Sequence, residues 1–256
     1  MSRAAGLLRA FFALNRRASA SLRPLLPHAH AKLDDRYAST VADHVKAAPE
    51  GAIVLDVGGG KRCWFAGMTG DSTTARIVAI DISREELTHN PDVDAKVVAD
   101  IVQGLPLRSR GVDLIVSRSV LEHLRETEPF IQHASRVLKP GGYFIHLFPC
   151  RFAPFALINQ LLPHRLSARI VHFIRPGSEG RLGFPAYYSN CYPTAMRSLL
   201  AKYGFEVRDV QLSFYQSTYF QFFLPLFLLS VAYELIVYTL GFNDLSAHVL
   251  VVARKK

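Results

Sequence analysis

The apolar positions of the chain fall into short continuous runs separated by longer periodic segments. The runs are Ala52–Val57, Arg76–Ile82, Ala95–Ile101, Val112–Ser117 and Tyr143–Phe148. Unbroken apolar stretches of this length predict strands covered on both faces. Helical periodicity fills most of the intervals. The clearest cases are Asp35–Ala48, closed by Pro49-Glu50-Gly51, and Val120–Leu138, closed by Lys139-Pro140-Gly141-Gly142. Tyr192–Tyr203 predicts a last large helix, and Glu206–Phe214 and Ala247–Ala253 predict two more strands. Strand alternating with helix argues for βαβ units, an α/β fold and a mostly parallel sheet. In such sheets ligands gather beyond the carboxyl ends of the strands, near the switch point.

Polar side chains cluster at those predicted carboxyl ends. Asp56 adjoins Gly58, Gly59 and Gly60, Asp81 closes the second strand, Asp100 closes the third, and Ser117 closes the fourth. Glycines let backbone approach a ligand closely. A carboxylate at a neighbouring strand tip accepts both hydroxyls of a ribose, which orients a nucleoside. A single aspartate there is accounted for by a helix cap, but three at successive strand ends strain that explanation. The dinucleotide fingerprint G-x-G-x-x-G/A is incomplete: Gly58 and Gly60 fit, whereas Lys61-Arg62 fill the gap and Cys63 holds the last position. A pyrophosphate cofactor is therefore disfavoured.

In order and spacing, VLDVGGG (54–60), VAIDIS (78–83), ADIVQGLPL (99–107), VDLIVSRSVLEHL (112–124) and VLKPGGYFIHLFP (137–149) are present together. With these motifs the chain resembles the class I S-adenosylmethionine-dependent methyltransferases, especially the small-molecule group called type 11. The resemblance covers about 35–148 and departs at Arg62, where many members carry a third glycine. It implies a Rossmann-like, doubly wound, seven-stranded sheet with an antiparallel last strand. It also implies S-adenosylmethionine as cofactor, with Asp56 and Gly58–Gly60 beside the methionine moiety and Asp81, followed by Ile82, on the ribose. Asp100 would then meet the adenine amino group, Ile101 the ring, and Ser117 the sulfonium end. The amino end of a helix after Gly60 would favour the cofactor carboxylate. His123 and His146 are the candidate bases, against positioning and core roles respectively. Tyr187 and Tyr188 are candidates for the acceptor pocket, against a reading as core aromatics. The segment 149–191, with a basic helix-like stretch over His164–Arg175, is where the superfamily builds its substrate cover.

Two regions lie outside that frame. Residues 1–33 form a basic extension in which Ala4, Leu7, Leu8, Phe11, Phe12 and Leu14 share one helical side, with Arg9 and Arg16 opposite. No acidic residue precedes Asp34, while Arg3, Arg9, Arg16, Arg17, Arg23 and Lys32 are cationic. Such a helix suits a membrane surface, a mitochondrial presequence, or simple packing on the main domain, which spans 34–256. The second region is the run 219–240, whose sole charge is Glu234. It is long enough for a bilayer, yet a single crossing would separate a pair of strands that must lie side by side. A broken hairpin bent near Pro225, an interfacial run or an apolar substrate channel remain as alternatives, with shallow membrane attachment preferred.

Composition narrows the rest. The chain has 256 residues, half of them hydrophobic, and a net charge of +9, enough for one sizeable core. A second basic cluster runs from Arg151 to Arg181. Nucleic-acid signatures are missing, so an anionic membrane is the better partner for this charge. Three separated cysteines without a CxxC pair argue for a reducing compartment and against a metal. The expected protein is a methyltransferase acting on a small lipid- or quinone-like acceptor, cytoplasmic and membrane-associated, with a mitochondrial location as the alternative. A nicotinamide-dependent oxidoreductase and a non-catalytic membrane-bound relative are the competing readings.

Overall fold

The computed structural model describes residues 3–25, 33–70, 74–163 and 184–256. The stretch His164–Arg175, Lys32 and most of the second basic cluster lie outside the described residues. Seven strands form one sheet in the order β3-β2-β1-β4-β5-β7-β6. They are β1 (Ile53–Val57), β2 (Arg76–Asp81), β3 (Ala95–Val98), β4 (Val112–Arg118), β5 (Leu138–Pro149), β6 (Phe205–Ser213) and β7 (His248–Lys255). The first five are parallel, and β7 runs antiparallel to both β5 and β6. The order reverses between β1 and β4, which is where a doubly wound sheet opens its crevice.

Each face of the sheet has its own core. Leu55, Val57, Ile115, Phe144 and Phe148 point to one side, where α5 (Thr127–Val137) adds Phe130, Ile131 and Ala134 and α7 (Pro193–Lys202) adds Met196 and Leu200. Val54, Val116, Ile145 and Leu250 point to the other, against Tyr37, Val41 and Val45 of α2 (Asp34–Lys46). Helix α2 buries Tyr37, Ala38, Val41, Ala42 and Val45, a stripe with helical spacing. Short helices α3 (Ala66–Thr69) and α4 (Arg84–Thr88) follow β1 and β2, and α6 (Pro154–Leu161) follows β5.

Several boundaries differ from expectation for local reasons. Strand β3 stops at Val98 because Asp100 turns the chain, its Oδ1 accepting the Val102 N–H at 3.0 Å. The helix expected from Val120 begins only at Thr127. Pro129 must sit in a first turn, and a 3₁₀ turn, Leu121–His123, occupies the gap. No long helix follows Gly60 either; the next one is the four-residue α3.

The two outlying regions meet. Helix α1 (Arg3–Leu22) packs against α8 (Leu224–Thr239). Asn15 Oδ1 accepts the Leu224 N–H at 2.9 Å, capping α8, and Phe12 meets Phe222 edge-on at 5.9 Å. Pro225 begins α8 rather than bending a hairpin. At ~1.5 Å per residue α8 is ~24 Å long, short of a ~30 Å bilayer core. No helix among the described residues is long and apolar enough to cross a membrane. Both ends of α8 return to the same antiparallel pair, β6 and β7.

Glu234, the lone charge of the run, is turned inward. Its carboxylate accepts the Gln216 N–H at 2.8 Å and also the Ser217 N–H. Glu234→Ala strands two amides and should cost about 1–3 kcal/mol in chemical denaturation; a loss within error would show that water replaces the carboxylate there.

Two other carboxyls are carried inside, Asp56 on β1 and Glu122 in the turn after β4. Burial pushes Asp56 up to about 7, partly offset by Cys63 and reinforced by Asp81. Burial pushes Glu122 up to about 8. A raised folded-state value stabilises the fold below the unfolded value, and that contribution is lost as pH rises through the folded one. The melting temperature of Glu122→Gln minus that of the wild type should therefore grow as pH rises from 5 and level off above about 8, where folded Glu122 is ionised as well. Parallel profiles would remove Glu122 from the buried titrating set.

Candidate functional site

The loop after β1 folds back onto the tip of β2. Gly58 and Gly59 both direct their amides at the Ile80 carbonyl, at 2.7 and 3.4 Å. Gly60 N–H donates to Asp81 Oδ2 at 3.1 Å, and Ser83 N–H donates to Asp81 Oδ1 at 2.8 Å. Asn90, itself buried, donates to the Gly59 carbonyl at 3.0 Å. Only glycine suits this path: Gly58 has φ +66°, and a Cβ there would lie 2.3 Å from Val120 Cγ2. A Cβ on Gly59 would lie 2.7 Å from that of Ala79. Glycines 58–60 and Asp81 are thus side by side at adjacent strand ends.

This donor set decides which ligand fits. Each Asp81 oxygen uses one acceptor position on a backbone amide and keeps another, the arrangement that takes vicinal hydroxyls. The glycine amides are already spent on Ile80 and Asp81. A pyrophosphate needs such amides free, so the loop is not a phosphate cradle. An adenosyl ligand without phosphate fits. Beside Asp81, Ile82 is 58 % exposed, an open apolar face at the tip of β2. Ile101 instead belongs to the main core. Asp100 holds Val102 and Gln103 Nε2, the latter at 3.1 Å. Asp56 is buried beside the loop, its Oδ2 at 3.3 Å from where a Gly59 Cβ would stand.

Ser117 and His146 are neighbours across β4 and β5 and hydrogen-bond each other inside the core. Burial holds the His146 imidazole well below the usual histidine range, and its ring packs on Phe144 at 3.6 Å between centroids. The structure therefore places His146 as a neutral core residue, and the Ser117 hydroxyl is turned towards it rather than to the strand tip. His123 donates through Nδ1–H to the Pro185 carbonyl at 2.9 Å and sits near Phe184. The Glu122 carbonyl accepts the N–H groups of Tyr187 and Tyr188 at 2.7 and 3.0 Å. Tyr187 accepts from Arg125 Nε at 3.1 Å, while Tyr188 is buried in the main core and accepts from Asn159 at 3.2 Å.

Polar groups that the periodicity did not reveal lie on the other side of the β4 tip. Arg118 lays its guanidinium on the face of Trp64, 3.6 Å from the ring centroid, and approaches Asp34 at 3.4 Å. Together with Arg16, Arg23, Tyr215 and His248 it borders a cavity of about 670 Å³. Trp64 follows the glycine loop and Val120 touches Gly58, so the cavity and the loop share the β4 tip. Acid-free residues before Asp34 were the only sequence signal for this basic wall. Among the described residues no group of three metal-ligating side chains comes together.

A family model described as Methyltransferase domain matches residues 29–210. An uncharacterized methyltransferase of Mycobacterium sp. (strain KMS) is 30% identical over 140 residues, 52% of this chain and 55% of the relative. The chain spans about half the length of the curated relatives it matches, between 41% and 55%. Geranyl diphosphate C-methyltransferase from Streptomyces coelicolor A3(2) shares the fold at a TM-score of 0.56 and 13% identity, over 88% of this chain and 80% of that one. The [4+2]-cyclase SpnF does so at 0.50 and 16%, over 85% and 79%. At these identities the two structures speak for the fold alone, which hosts more than one chemistry. The family match covers most of the chain, the glycine turn included, and the protein belongs to the methyltransferase-domain family.

Proposed function

We propose that the protein is an S-adenosylmethionine-dependent methyltransferase whose acceptor is a small lipid-like molecule met at a membrane surface. The observation that carries the first half is the Asp81 carboxylate pinned to Gly60 beside a loop whose three glycine amides are all committed to protein acceptors. In this reading Asp81 holds the ribose hydroxyls, Ile82 offers the adenine an apolar face, and Asp100 stands beside it. Asp56 and the glycine loop border the methionine end. S-adenosylmethionine supplies a methyl carbon activated by positive sulfur. The chain's own work is to align the acceptor and exclude water. Competition from a nicotinamide cofactor is weakened by the same spent amides.

The second half rests on the outward faces of α1 and α8. Leu7, Leu14, Leu229, Ile236 and Leu240 are each more than half exposed, at 57–70 %. Helix α1 carries arginines 9, 16 and 17 and no acidic residue. An exposed apolar face on a helix whose charges are all cationic suits an interface with anionic lipid. Three buried free cysteines suit a reducing compartment such as the cytoplasm. Geranyl diphosphate, named with one structural neighbour, is an amphiphile of this general kind.

Two measurements test these halves separately. Asp81→Ala should weaken S-adenosylmethionine binding by about 1.5–3 kcal/mol in calorimetry, the loss of charge-assisted hydrogen bonds; equal affinity would take Asp81 out of the ribose role. On phosphatidylserine-containing vesicles, Leu14→Glu combined with Leu229→Glu should cut co-sedimentation about tenfold or more, since each leucine contributes on the order of 1.5–3 kcal/mol when buried. Unchanged co-sedimentation would place the anchor elsewhere.

A further inference from the structure

The cavity beside the β4 tip is assembled from distant parts of the chain. Arg16 comes from α1, Arg23 from the turn after it, Arg118 from β4, Tyr215 and Tyr219 from the link between β6 and α8, and His248 from the start of β7. Among the described lining residues three arginines and one carboxylate, Asp34, border the cavity. Arginines thus outnumber carboxylates among those residues at a concave surface, where field lines are focused.

The guanidiniums are set up to bind rather than merely to solvate. Arg118 is stacked by its face on Trp64, an arrangement that fixes the plane and keeps the N–H donors directed along it. Its Nε is buried, and the approach to Asp34 at 3.4 Å does not reach hydrogen-bond geometry. Arg23 lies over the Tyr215 ring at 5.3 Å. Planar forks held by aromatic faces suit a tetrahedral or forked oxyanion.

The remaining lining mixes apolar Leu33, Leu147 and Phe222 with polar Ser119, Thr218 and Gln221. Phe222 borders the cavity and packs on Phe12 of α1, while its neighbour Phe223 approaches Phe11 at 6.3 Å on the exposed face of the α1–α8 pair. The cavity is therefore bordered by arginines and, through Phe222, adjoins the exposed aromatic side of the α1–α8 pair.

We infer that this cavity is the acceptor's head-group site and that it takes a phosphate-bearing amphiphile, its phosphate among Arg16, Arg23 and Arg118 and its tail along the α1–α8 face. The assignment rests on the methyl-transfer reading for its role but not for its binding chemistry. It selects against a neutral quinone-like acceptor, whose carbonyls accept hydrogen bonds but bring no negative charge to the guanidiniums. Free phosphate metabolites share the head-group chemistry and lack the tail.

Trp64, the sole tryptophan of the chain, is a built-in reporter because it touches Arg118. Titration of the full chain with octyl phosphate below its micelle concentration should give a saturable change in tryptophan emission, and octanol should give none. Arg16→Gln and Arg23→Gln, which leave the Trp64 stack in place, should each raise the octyl phosphate Kd about tenfold, with S-adenosylmethionine affinity unchanged in calorimetry. No saturable change, or wild-type affinity in both variants, overturns the site. Inorganic phosphate binding as tightly as octyl phosphate overturns the amphiphile and assigns a water-soluble phosphate ester instead. If S-adenosylmethionine fails to bind the wild type while octyl phosphate binds, the methyl-transfer reading falls and the anion site stands.

Discussion

One contact organises the ligand end of the sheet: the Gly60 amide held by the Asp81 carboxylate, with Gly58 and Gly59 on the Ile80 carbonyl just beneath. It couples the loop after β1 to the tip of β2, and Val120 presses on Gly58 from the β4 side. Three strand ends are thereby locked around the switch point. The lock has a chemical consequence, because amides committed to protein acceptors no longer serve a phosphate. The same hydrogen bonds that build the turn separate an adenosyl site from a dinucleotide site.

The second constraint is geometric. Strands β6 and β7 are antiparallel neighbours, so whatever joins them must leave and return on one side of the sheet. Helix α8 does so in sixteen residues, with Glu234 satisfying two amides of the preceding turn. An apolar run that resembles a membrane span becomes a helix with one side against α1 and the other open. Joining the two helices fixes α1 where its Arg16 borders the same cavity as Arg118.

The sheet was legible because a strand covered on both faces must be apolar throughout, and Val54, Leu55, Ile115 and Phe144 obey that rule locally. Acidic residues at strand tips were legible for the same reason: Asp56, Asp81 and Asp100 interrupt apolar runs where chain direction requires an end. Boundaries were less so. The start of α5 depends on Pro129 and on a turn tied to residues 185–188, and the end of β3 depends on the Asp100 turn. His146 shows the limit for single side chains, since a strand histidine reads alike whether it faces ligand or core.

By itself the sequence determined the alternation of strands and helices, the glycine turn and the acidic strand ends, all of which are set by neighbours a few residues apart. Only the tertiary structure decided which side chains share a cavity. Arg16, Arg118, Tyr215 and His248 come together because Asn15 caps α8 and β7 inserts between β5 and β6. Those are contacts between residues far apart in the chain, and no local periodicity carries a trace of them.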